Sequence, residues 1–149
     1  GDLTAEENLR FYGEMYSVPN LQSRISEVLD QVGLTQRRRD LVRTFSRGMA
    51  QRLSIGRAIL HAPEVMLFDE PHTGLDQDAS AMLDGVLKSV AAHGAIPRTV
   101  LMISHDLPHA LALADRVVVL SRGKIAYDSP AAGLSAIEFA KTYETITHG

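Results

Sequence analysis

The chain has 149 residues, 45% of them hydrophobic and 22% charged, with a net charge of −3. That is the size of one globular domain with a single core, and it is too apolar to stay disordered. It has no cysteine, which excludes a disulfide framework and a thiolate metal site and fits a reducing compartment. No apolar run approaches the ~18 residues of a membrane span, and residues 1–20 show no secretory h-region. Residues 1–61 hold nine arginines against seven acids, and residues 62–149 hold six basic residues against eleven acids. Neither part shows the basic stripe of a nucleic-acid binder, so no nucleic-acid partner is expected. Arg37-Arg38-Arg39 reads as a solvated helix end or turn. The first residue is Gly1 rather than Met, as in a piece of a longer chain.

Residues 1–61 read as a helical subdomain. Thr4-Ala5-Glu6-Glu7 has the form of a capping box, and the helix it opens is expected to stop near Val18-Pro19. Leu21, Ile25, Val28, Leu29 and Val32 share one helical face, closed by Gly33. A third helix starts at Ser46, with Met49, Leu53, Gly56 and Leu60 on one side. After Pro63 the texture changes. Val65-Met66-Leu67-Phe68 is an unbroken apolar run, expected to be a parallel strand buried on both faces. Asp76 can cap a helix with Ala79, Met82, Leu83, Val86, Leu87 and Val90 on one stripe, ended by Gly94. Thr99–Ile103 is a second buried strand. A short helix follows, with Asp106 as N-cap, Pro108 in its first turn and Leu107, Ala110, Leu111 and Ala114 facing inward. Val117–Leu120 and Lys124–Tyr127 flank Ser121-Arg122-Gly123 as a hairpin. Residues 129–149 form a turn and a weak helix.

The order strand–helix–strand–helix–strand over residues 62–128 predicts an α/β fold with right-handed crossovers. Such sheets place chemistry at the carboxyl ends of their strands, here Asp69-Glu70 and Ser104-His105. One of two adjacent acids can hold hydrated Mg²⁺ while the other orients a water, although a turn pair looks the same. His105 can donate to an anionic oxygen, or be an ordinary loop histidine. Ser46-Arg47-Gly48 can offer free helix amides to a phosphate, and Ser46 can equally be a plain N-cap.

Taken together, these segments resemble one family. Phe45-Ser46-Arg47-Gly48-Met49-Ala50-Gln51-Arg52-Leu53 is similar to the signature segment of ATP-binding cassette (ABC) ATPases. Val65–Pro71 resembles their Walker B strand with its catalytic Glu, Thr73-Gly74-Leu75-Asp76 their D-loop, and Ile103-Ser104-His105-Asp106 their switch-His loop. Leu3–Leu9 is similar to the segment after their Q-loop. Arg47 stands where the family has its first signature glycine, and Met49 where it has Gln. No Gly-x-x-x-x-Gly-Lys-Ser/Thr occurs among the 149 residues, and the loop Gln is missing too. Both are expected upstream in a longer parent.

The resemblance implies a partial P-loop NTPase, of RecA-like, ABC type: a parallel sheet with an N-terminal helical subdomain (residues 1–61), an α/β core (62–128) and a C-terminal extension (129–149). Its P-loop strand would fall between the switch-His strand and Val117–Leu120, so a one-strand gap in the sheet is expected. It implies ATP and Mg²⁺ as cofactors. Asp69 would hold Mg²⁺ through water, Glu70 would polarise the attacking water, and His105 would contact the γ-phosphate. Ser46 and Gly48 would reach the nucleotide of a second cassette, and Asp76 would couple the two sites. The partners are that second cassette and transmembrane permease subunits, one of which would dock on the helical subdomain, with Phe11, Tyr12, Met15 and Tyr16 as candidate contacts. The location is peripheral, on the cytoplasmic face of the membrane. The implied function is ATP hydrolysis driving export, with the haem exporters of cytochrome c maturation the group most resembled. A soluble ABC-type ATPase, or a non-catalytic cassette donating only its signature, are the alternatives. Without a phosphate cradle the 149 residues alone are expected to be inactive.

Overall fold

The computed structural model describes residues 2–92 and 98–148. They fall into two compact units, residues 1–101 and 102–149.

The first unit opens with α1 (Ala5–Met15). The capping box forms as read: Thr4 Oγ1 accepts from the Glu7 amide at 3.2 Å, and Glu7 Oε2 accepts from the Thr4 amide at 2.8 Å. The next two free amides of the first turn, Ala5 and Glu6, donate to the carbonyls of Asp40 and Arg38. The helix ends before Val18-Pro19, because Ser17 turns into the left-handed region at φ 51°. Gly13 lies against the Leu21 side chain, which would have to shift to admit a Cβ there.

Helix α2 (Leu21–Gln31) buries Ile25, Val28 and Leu29, and Gly33 closes it at φ 63°, as its face predicted. Two 3-10 turns, Thr35–Arg37 and Val42–Thr44, follow. Helix α3 (Arg47–Ile59) starts at Ser46 and buries Leu53, Ile55, Gly56 and Ile59. Leu9, Ile25, Val28, Leu29, Leu53 and Ile59 are fully enclosed and make this the tightest part of the molecule.

Two arginines lock α2 to α3. Arg52, on α3, is buried and donates from Nη1 to the carbonyls of Val32 and Gly33, at 3.1 and 3.0 Å, where α2 ends. Arg24, on α2, donates to the carbonyls of Ile59 and Leu60, at 2.7 and 3.1 Å, where α3 ends. Each helix thus supplies a cation to carbonyls at the end of the other. Burial pulls Arg52 below the usual guanidinium range, yet the group stays charged because that range is so high.

Strand β1 (Val65–Asp69) pairs with β2 (Thr99–Ile103) in a parallel two-stranded sheet, joined through α4 (Gln77–Ala92). Burial on both faces, expected for these strands, is not found. Met66 and Phe68 are buried, whereas Val65 and Leu67 are 66% and 63% exposed. Leu101 and Ile103 on β2 are exposed as well. An unbroken apolar run reports what a strand can bury, and here only one face is covered. On α4 the stripe Leu83, Val86, Leu87 and Val90 is buried, but Met82 is exposed. Gly94, expected to end α4, lies outside the described residues.

In the second unit, α5 (Leu107–Leu113) starts at Asp106, which accepts from the His109 amide at 3.1 Å. Strands β3 (Arg116–Ser121) and β4 (Lys124–Pro130) pair antiparallel around Arg122-Gly123, at φ 50° and 75°. Two positive φ values in a two-residue loop are the hairpin geometry that a glycine favours. Helix α6 (Ala136–His148) is well built rather than weak. Its Phe139 joins Val117 and Val119 as the core of this unit, with Leu107, Leu111, Ala114 and Tyr143 packed around them. Strands β2 and β3 belong to different sheets.

Two measurements test the first unit. Arg52→Met removes the donor from two helix-end carbonyls and should lower stability by about 2–3 kcal/mol in urea unfolding; an unchanged midpoint would mean that the lock contributes nothing. Glu6 is held from 4.5 down to about 2, first by its hydrogen bond from Arg38 and next by that from Gln22. A carboxylate with a depressed folded-state pKa contributes stability above its unfolded value and loses it as the pH falls through the folded one. Stability should therefore decline between about pH 4.5 and about pH 2, and Glu6→Gln should flatten that decline.

Candidate functional site

Five of the six residues singled out from sequence lie in the first unit. Ser46 precedes α3 in extended conformation, and its Oγ accepts from the Met49 amide at 3.2 Å. Ser46 is exposed, and so is Arg47 beside it. Gly48 sits one residue into the helix. A Cβ built on it would stand 3.1 Å from the Ala79 Cβ, so α3 and α4 meet closely at their starts. The N-cap role is thus real, and the serine remains exposed.

Asp69 ends β1 with an exposed side chain. Glu70 follows at φ 48°, a left-handed conformation that costs a residue with a Cβ about 1–2 kcal/mol. Such backbone is kept only where its surroundings over-determine it. Here the Glu70 carboxylate accepts from Thr73 Oγ1 at 3.2 Å, and the Glu70 carbonyl accepts from the Thr73 amide at 3.1 Å. The sharp turn separates the two acids: Asp69 stays in strand geometry and Glu70 leaves it.

The 70–76 segment is tightly wound. The Leu75 amide donates to the His72 carbonyl at 3.1 Å, and Gly74 takes φ 75°. Asp76 caps α4, accepting from the Ala79 amide at 2.8 Å. His72 Nε2 lies 2.8 Å from Asp84 Oδ1 on α4, which fastens the turn to the helix behind it. His72 was missed in the sequence. Its only local signal is its place directly after Glu70-Pro71, because its partner is twelve residues away.

His105 lies in the second unit, exposed, in the loop between β2 and α5. Beside it the Asp106 amide donates to Ser104 Oγ at 3.1 Å. Of the four expected annex contacts, Phe11, Met15 and Tyr16 are exposed. Tyr12 instead packs inward, under the Arg57 guanidinium at 5.3 Å from its ring centre. Among the described residues no helix is long and apolar enough to cross a membrane.

The ensemble in the first unit is a helix start with an exposed capping serine, two adjacent acids at a sharp turn, and a capped helix behind them. It can present amides and a hydroxyl to anionic oxygens on one side and carboxylates to a cation or water on the other. Comparison with known proteins gives this arrangement its class. Residues 1–73 match the family model described as "ABC transporter". The chain is 38% identical over 125 residues to the linearmycin resistance ATP-binding protein LnrL of Bacillus subtilis, covering 83% of this chain and 39% of that protein. It is 34% identical over 149 residues to the Nod factor export ATP-binding protein I of Ralstonia nicotianae, covering 99% and 42%. It is 40% identical over 107 residues to the aliphatic sulfonates import ATP-binding protein SsuB 1 of Rhodococcus jostii, covering 72% and 43%. The chain therefore carries part of an ABC transporter ATP-binding domain. Its relatives are ATP-binding subunits of export and import systems, and it spans about two fifths of the length of these three.

Asp76 offers a test of the local build. Asp76→Ala should cost about 1 kcal/mol by loss of the cap, while Asp76→Asn should cost much less. Equal losses for the two would show that charge rather than capping holds the start of α4.

Proposed function

We propose that this chain is part of an ATP-hydrolysing subunit that drives export across a membrane, and that Glu70 is the residue that orients the attacking water. The observation that carries the reading is the turn at Glu70. A left-handed residue directly after a strand-end aspartate takes Glu70 out of the strand and into the loop, where Thr73 holds its carboxylate, so the two acids can serve different atoms.

Asp69 suits a magnesium ion held through water. It is a hard oxygen donor, exposed at a strand end, and Mg²⁺ keeps several of its waters. Bound there, the ion would neutralise charge on the phosphates. Ser46 Oγ and the first amides of α3 would contact the γ-phosphate of a nucleotide held by a second cassette, and Gly48 would allow that approach. Glu70 would accept a proton from the water it orients. His105 would donate to the γ-phosphate, and Asp76 would join the two sites. Residues 1–61 would be the segment that meets the permease, 62–128 the catalytic core and 129–149 an extension. Phe11, Met15 and Tyr16 are the exposed apolar contacts available for the permease, which would place the subunit at the cytoplasmic face. Closure on ATP and opening after hydrolysis would then move the permease by differential affinity for its two states.

Export is the direction read from the sequence; the relative named for Nod factor export matches over 99% of this chain, and those named for sulfonate and phosphonate import over 72% and 84%. Haem, the cargo of the exporters whose motifs the sequence analysis sets beside this chain, is one candidate substrate for the permease.

The full-length protein should hydrolyse ATP, and Glu70→Gln should lower turnover about 100-fold or more while ATP still binds. The 149-residue chain alone, which contains no Gly-x-x-x-x-Gly-Lys-Ser/Thr, should show no turnover above its own Glu70→Gln control. Undiminished hydrolysis by full-length Glu70→Gln would refute the assignment of Glu70.

A further inference from the structure

Arg47 stands where a glycine is usual in the resembled signature, and the structure gives the side chain a task. Its guanidinium lies over Gly74, in the space that any side chain at position 74 would occupy. Gly74 adopts φ 75°, so a larger residue there is strained by its backbone as well. A second contact runs alongside, between Gly48 and Ala79. The start of α3 and the 73–76 turn are therefore joined at two points, one made by a long cation over a bare backbone and one by two small residues. The turn is fixed in its own right: Thr73 is bonded to Glu70 twice, Leu75 to His72, and Asp76 to Ala79. These contacts link Ser46 and Gly48 to the turn that carries Asp76 and Glu70.

We propose that Arg47 is a positioning residue that clamps the start of α3 onto the Gly74 turn, so that the serine and the acids of one chain move as a single body when two cassettes close. The proposal rests on the reading of Glu70 and Ser46 given above. A glycine at position 47 could not make this clamp, and the bare backbone of Gly74 is what leaves room for it. Arg47 then acts at closure and not in the initial capture of nucleotide. Its loss should appear in kcat rather than KM, as for an interaction made only on the way to the transition state.

The test uses the full-length protein and a double-mutant cycle on ATP turnover. Arg47→Gly removes the clamp. Gly74→Ala pushes the guanidinium off the turn while leaving Arg47 in the chain. Each should lower kcat about tenfold with KM for ATP changed by less than about twofold, and the double variant should be no slower than the worse single one. Multiplied losses, about 100-fold together, would show that the two residues act separately and would overturn the proposal. So would an unchanged kcat in Arg47→Gly, which decides the matter by itself if Gly74→Ala does not fold. Glu70→Gln measured in parallel separates the two levels: a large loss there with no loss in Arg47→Gly defeats only the clamp, whereas no loss in Glu70→Gln defeats the functional reading beneath it.

Discussion

Arg24 and Arg52 exchange donors between α2 and α3, each reaching the last carbonyls of the other helix. A helix end holds carbonyls with no partner in their own helix, and a cation there satisfies both the hydrogen-bonding need and the dipole. Because the two bonds run in opposite directions, neither helix can slide along the other without breaking one of them. The apolar contact is close as well, since a Cβ on Gly56 would stand 3.2 Å from Val28 Cγ1, and the arginines fasten the helix ends in that register. Arg98 repeats the device on a smaller scale, donating to the Val90 carbonyl near the end of α4 at 3.2 Å. This register matters because α3 begins at Ser46, thirteen residues before the carbonyls that Arg24 holds.

Local chemistry was legible in the sequence wherever one residue acts on amides three positions away. Thr4, Ser46, Asp76 and Asp106 were read as caps, and each accepts the bond expected of it. The hairpin at Arg122-Gly123 was legible for the same reason, since two positive φ values need only the turn itself. The arginine lock was not legible. Arg24 and its carbonyls are separated by 35 and 36 residues, and an arginine on a helix shows no mark of which backbone it will meet. The two 3-10 turns between α2 and α3 escaped notice as well. They are held by what residues 38–42 do for the start of α1, through the Ala5, Glu6 and Leu3 backbone.

The strands show the opposite kind of limit. Val65–Phe68 and Thr99–Ile103 have the composition of strands enclosed on both sides, yet each keeps one apolar face in solvent. Residue type records the burial a segment is suited to, while the coordinates record what its present neighbours supply. A sheet of two strands with an uncovered face has few ways to suppress twisting, so its stability must come from Met66 and Phe68 on the covered side and from α4. In the second unit Phe139 has the comparable role. Its ring lies 5.7 Å from that of Tyr127 and closes α6 over the hairpin, a contact hidden in a segment whose sequence reads as weakly helical.

The acids are the point where fold and chemistry meet. A strand ending in Asp69 would, if simply continued, place Glu70 on the opposite face and hand it to whatever packs there. The left-handed turn instead commits Glu70 to the loop, and the Thr73 hydroxyl and amide hold it at its new angle. The strain has to be matched elsewhere, and His72 against Asp84 and the cap at Asp76 are the bonds that match it. Those bonds tie the turn to α4, and α4 meets α3 at Ala79 and Gly48. Helix α3 is thus held at its last carbonyls by Arg24, from its middle to the end of α2 by Arg52, and at its start against α4 beside the turn that carries Glu70. A chain built this way holds its polar groups at a helix start and a strand end on elements that are fastened to one another.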